Sequence, residues 1–147
     1  MALHIHTGHW PLIFVDMQSP TDEEYAHYFG RIDEFFLRRQ PFAIVINTVE
    51  SSGNTSSAGR QAQADYMRRH ADLMSQYVKG IALIVRTAPV RAVITSILWM
   101  QPAPAPFAVF RTKAEATRWA RNQLRDAGIT PPLLPPSLLD TPLPKSS

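Results

Sequence analysis

Phe42-Ala43-Ile44-Val45-Ile46-Asn47 is the stretch whose reading decides the fold. It is an unbroken apolar run rich in β-branched residues that closes on a polar one, as a strand covered on both faces requires; a half-exposed strand would alternate instead. Two runs of the same kind, Leu12–Asp16 and Ile81–Val85, lie on either side, and amphipathic helical stretches separate the three. Strands alternating with helices predict an α/β domain, a mixed sheet of four or five strands with four helices over it.

Upstream, Ala2–His6 predicts a short edge strand that Thr7-Gly8 turns back into Trp10–Met17. Thr21, with Glu24 three residues later, forms a capping box for a helix to about Arg39, and Asp22 and Glu23 suit the positive end of its dipole. Tyr25, Tyr28, Phe29, Ile32, Phe35 and Phe36 recur at three- and four-residue spacing, so one aromatic stripe faces the sheet. Gly30 within the stripe reads as a point of close packing.

Downstream, residues 50–59 form a Ser/Gly/Asn/Thr loop, and a helix follows from Arg60 to about Tyr77 with Met67, Leu73, Met74 and Tyr77 inward. Lys79-Gly80 breaks that helix. Ala88-Pro89 opens a short helix lined by Val90, Val93, Ile94, Ile97 and Leu98. The alternate prolines of residues 101–106 make an extended connector to an edge strand at Phe107–Phe110. Thr112 and Glu115 form a second capping box for a last helix to about Asp126, with Ala116, Trp119, Ala120 and Gln123 on its inner side. Gly128 stops it.

One domain suits the 147 residues, and the boundary falls after residue 126. Residues 127–147 hold Pro131, Pro132, Leu133, Leu134, Pro135 and Pro136 in a proline- and leucine-rich tail, either disordered or a docking peptide. Cysteine is absent, which excludes disulfides, thiolate nucleophiles and cysteine metal sites. A net charge of +3 without a long Lys/Arg run gives no case for nucleic acid. Met1–Trp10 lacks the regions of a secretory signal, and no apolar run approaches the roughly 20 residues that span a bilayer, so a cytoplasmic protein without membrane insertion is expected.

The succession of elements resembles the STAS family, and the SpoIIAA-like bacterial members in particular. The resemblance is carried by the Phe42–Asn47 strand, the serine-rich loop before the next helix, the Lys79–Arg86 segment KGIALIVR, and the ending VFRTKAEATRWARNQL at Val109–Leu124. That ending is similar to the family's F-x-[ST]-x-x-E-A-x-x-W-L closing, with Ala120 where leucine is usual. The resemblance implies a STAS-like, SpoIIAA-like fold and a non-enzymatic protein-interaction role in regulation or scaffolding, with no cofactor. Glu50-Ser51-Ser52-Gly53 resembles the D-S-S-G-type motif in which a partner kinase phosphorylates a serine. Ser56 and Ser57 lie nearer the helix start, where a phosphate gains from backbone N–H groups and the dipole.

On these grounds the partner surface is expected to comprise Glu50, Gly53, Asn54, Arg60 and Tyr66, with Trp99 as an aromatic contact and Pro132, Leu133, Leu134 and Pro135 as the tail's docking element. In one alternative the chain is a cargo or adaptor protein held by that tail. In another it is a small anion- or ligand-binding domain using Asp16, Asn47, Arg86 and Arg91 at the strand ends, although Arg86 is equally suited to pairing with Asp16. The row Arg118, Arg121, Arg125 reads as a solvated face, and His4, His6 and His9 as decoration of an edge strand rather than a metal site. The edge strand leaves homodimerisation open.

Overall fold

The computed structural model describes residues 3–17, 21–47, 57–89, 91–92, 104–132 and 134. Its strands are β1 (Leu3–His6), β2 (Leu12–Met17), β3 (Phe42–Asn47), β4 (Val78–Ile84) and β5 (Phe107–Phe110). Its helices are α1 (Asp22–Leu37), α2 (Ser57–Arg69), α3 (Ala71–Tyr77) and α4 (Lys113–Asp126). The chain is thus an α/β protein with a five-stranded mixed sheet in the order β1-β2-β3-β4-β5. β1 runs antiparallel to β2, and every later neighbour is parallel.

Alternation along the strands divides the core into two layers. Ile13, Val15, Phe42, Ile44, Val78 and Ile81 pack under Ile32, Phe35 and Phe36 of α1, Tyr66 of α2 and Met74 of α3. Leu12, Phe14, Ala43, Val45, Ala82 and Ile84 pack under Ala116, Ala120 and Leu124 of α4. This division follows from the topology. Parallel strands laid down in sequential order by right-handed crossovers place their helices on one face, so the helix after the last strand is left to cover the other.

The helix ends form as their residues dictate. Thr21 Oγ1 accepts from the Glu24 backbone N–H while Glu24 Oε1 accepts from the Thr21 N–H, a complete capping box worth about 1 kcal/mol. Gly128 turns left-handed at φ 82°, so that its N–H reaches Arg125 O and the Ile129 N–H reaches Leu124 O, closing α4 in a Schellman motif. The partly buried Ile129 and Leu134 then pack against the α4 core layer.

Four expectations are corrected here. The helix predicted from Arg60 to Tyr77 is two helices, α2 and α3, parted at His70. Lys79-Gly80 is not a break but part of β4, which begins directly after Tyr77; the register shift between Phe42/Ala43 and Val78/Gly80 bulges Lys79 out of the ladder. Gly30 serves no close contact, since a Cβ there would meet nothing within 4 Å, whereas at Gly80 it would lie 3.0 Å from Trp119 Cζ3. Leu73, expected inward, is exposed. Of the predicted helix at 88–98, Ala88–Pro89 and Arg91–Ala92 are helical and the remainder lies outside the described residues.

Candidate functional site

Phe29, Asp33 and Phe36 stand at i, i+4 and i+7 on α1, so they share one face, and Tyr66 and His70 stand one turn apart on the opposing segment. Their rings form a near-parallel stack: Phe29 on Tyr66 at 4.5 Å, Tyr66 on His70 at 4.1 Å, and His70 on Phe36 at 6.2 Å. Asp33 ties the stack together. Its Oδ1 accepts from the Tyr66 hydroxyl at 2.8 Å and lies 3.3 Å from His70 Nε2.

The electrostatics of the cluster are those of a lock. Tyr66 is 6% exposed, and its burial, reinforced by the hydrogen bond and charge of Asp33, pushes the hydroxyl above its ordinary pKa. It stays protonated at neutral pH and donates. His70 Nδ1 lies 2.9 Å from the Tyr66 carbonyl, so both ring nitrogens stand beside oxygen atoms of the cluster.

Over this floor opens a cleft of about 420 Å³ between the end of α1 and α3, lined by Asp33, Phe36, Leu37, Arg39, His70, Leu73 and Tyr77. Its rims are apolar and exposed: Leu37 at 80% on one side and Leu73 at 37% on the other. Arg39, also on the rim, holds a left-handed backbone at φ 53° immediately after the α1 cap. Such a conformation is disfavoured for a residue with a Cβ.

The expected site residues are distributed differently. Tyr66 is not on an exposed partner surface but buried against α1, because its ring fills the stack and its hydroxyl is engaged. Arg60 lies in the first turns of α2. Glu50, Ser51, Ser52, Gly53, Asn54, Ser56, Trp99, Leu133 and Pro135 lie outside the described residues, while Ser57 opens α2. Leu134 and Pro132 belong to the folded body: Leu134 packs on the α4 layer, and the Pro132 carbonyl accepts from Arg121 Nη2 at 3.4 Å. The packed chain therefore extends past the predicted boundary at residue 126, and Arg121 is half-buried rather than solvated like Arg118 and Arg125.

At the strand ends, Asp16 engages His6 at 3.0 Å and Asn47 at 3.4 Å instead of Arg86. Arg91 Nη1 donates to the carbonyls of Val85 at 2.9 Å and Arg86 at 2.8 Å, bracing the turn after β4, while the Arg86 side chain is exposed. None of these residues lines the α1–α3 cleft or the smaller cavity bordered by Leu3, His27 and Arg31. Among those residues no group of three His, Asp or Glu side chains is placed to hold a metal ion, and no helix is long and apolar enough to cross a membrane. Asp33 and His70 escaped sequence reasoning. The signal was present in the matched spacings of 29/33/36 and 66/70, but pairing two helices across a sheet face requires the topology.

Comparison with protein-family models, with curated proteins and with solved structures finds no match for this chain.

Proposed function

We propose that this chain is a STAS-like, non-enzymatic protein-interaction domain that contacts its partner through the cleft between α1 and α3. The observation that carries the reading is the pair of exposed leucines, Leu37 and Leu73, on facing rims of a cleft whose polar floor is already partnered from within. Exposed apolar side chains gathered about one cleft, rather than scattered singly, mark a contact for another molecule. The STAS-like part is supported by the succession of a β-hairpin and parallel βα units in the order β1-β2-β3-β4-β5.

The partner's chemistry follows from the lining. An amphipathic helix places an apolar side chain between Leu37 and Leu73, and a basic side chain beside it meets the half-exposed Asp33 carboxylate. Regulation enters through the serines before α2. Phosphorylation at Ser51, Ser52, Ser56 or Ser57 adds negative charge to the chain leading into α2, the helix that carries Tyr66 and with it the hydrogen bond to Asp33.

The test is affinity capture from native lysate, comparing the full-length chain, the Leu37→Glu/Leu73→Glu double variant, and a chain stopped after Leu134. The expected result is one protein retained by the full-length and shortened chains and reduced at least about tenfold in the double variant, as loss of a central anchor produces. Circular dichroism verifies that the variant is folded. Capture that survives the double substitution, or is lost only on shortening, overturns the reading.

A further inference from the structure

A second cavity, of about 190 Å³, lies on the other side of α1, where it meets the sheet edge; Leu3, His4, Ile5, His27 and Arg31 border it. Leu3 and Ile5 face α1 with the rest of that core layer, so alternation turns the His4 ring to the opposite face, where it stacks on His6 at 6.4 Å. His4 therefore meets the cavity with its backbone. Because β1 is the edge strand, alternate N–H groups along it point away from β2.

From α1, His27 and Arg31 reach the same cavity one helical turn apart. Arg31 is held in place but lightly engaged. Its guanidinium rests over the Phe35 ring at 5.5 Å, its contact with Glu34 is long at 3.9 Å and between partly exposed groups, and its Nε finds no acceptor among the described residues. A surface pair of that length contributes little. The nearest cross-strand carboxylate, Asp16, is occupied by His6 and Asn47, and none borders the cavity.

A guanidinium fork and an imidazole, one turn apart on α1, meet a strand edge across this small and mostly polar corner, a donor set that suits a phosphate oxyanion. The volume falls below the roughly 300 Å³ of sites for drug-sized ligands and suits a single phosphate group. We propose that this corner binds a phosphate group, held by the Arg31 guanidinium and the His27 ring against the free edge of β1.

The experiment is a titration of the full chain with inorganic phosphate at fixed pH and ionic strength, with parallel arms in glycerol phosphate, acetate and chloride. The readouts are the C2–H resonances of the five histidines and the backbone amides of His4 and Ile5. Saturable displacement of the His27 resonance and the β1 amides by phosphate, with His9 and His70 stationary, is the expected result. Arg31→Gln weakens the affinity about tenfold, the order set by one charge-assisted hydrogen bond. His27→Asn, on the helix surface, weakens it as well and stands in if Arg31→Gln does not fold. Tighter binding of glycerol phosphate identifies a phosphate ester as the source, and tighter binding of inorganic phosphate identifies the free ion. Unsaturable shifts, equal shifts in acetate or chloride, or undiminished affinity in both variants overturn the proposal.

Discussion

Asp33 is the residue on which α1 and the α2–α3 segment meet, and it makes the stability of that joint depend on pH. The Tyr66 hydroxyl donates to it at 2.8 Å and has its pKa raised above the ordinary value of about 10. The folded state thus prefers the protonated phenol, whose contribution is fully present below about pH 10 and is lost as pH rises beyond that. Urea midpoints taken across this range will fall in the native chain, and Tyr66→Phe will remove part of the fall while costing about 1–3 kcal/mol at neutral pH. Arg39 offers the opposite test. Its left-handed φ of 53° costs a side-chain-bearing residue about 1–2 kcal/mol, so Arg39→Gly is expected to raise the urea midpoint by about 1 kcal/mol of stability. At this scale the sequence was least legible. Tyr66 was recognised as important but for an exposed role, and Asp33 shares the spacing of Phe29 and Phe36 without that spacing saying which helix it faces.

Elements were legible wherever a cap or a period declared them. The Thr21 and Thr112 caps, the Phe42–Asn47 run and the Gly128 stop are local physics, and each appears where its residues put it, although the box expected at Thr112 is altered: the Glu115 carboxylate accepts from the Thr112 hydroxyl. The split between α2 and α3 was not, because His70 leaves its ring engaged with Asp33 and the Tyr66 carbonyl, contacts made outside its own periodicity. Gly80 misled for a related reason. Next to a helix end it reads as a breaker, but in β4 it is a place where side chains of α4 press onto the strand. Adding a methyl there brings Cβ to 3.0 Å from Trp119 and 3.1 Å from Gln123 Cγ. Thermal unfolding of Gly80→Ala should therefore show a loss of about 1–3 kcal/mol, the usual cost of overpacking, whereas Gly30→Ala should be neutral or stabilising.

Across the whole molecule, two helical layers and a sheet laid down in chain order leave the chain after α4 lying on the second core layer. Ile129 and Leu134 complete that layer, so a chain stopped after Ala127 should unfold at lower urea than one stopped after Leu134, by about 1–3 kcal/mol. The α/β class and strand succession were legible because alternating strands and helices allow few topologies; the cleft was not, because it exists only once α1 and α3 stand side by side. The two faces also differ in what they offer a partner: the α1–α3 side exposes Leu37 and Leu73, while the outer side of α4 exposes Arg118 and Arg125. The most direct measurement of the central claim is photo-crosslinking in native lysate from a photoreactive residue at position 37, compared with the same residue at position 118. The account predicts a discrete protein adduct from position 37, suppressed by Leu73→Glu, and none from position 118. An adduct from position 118 alone, or equally from both, would contradict it.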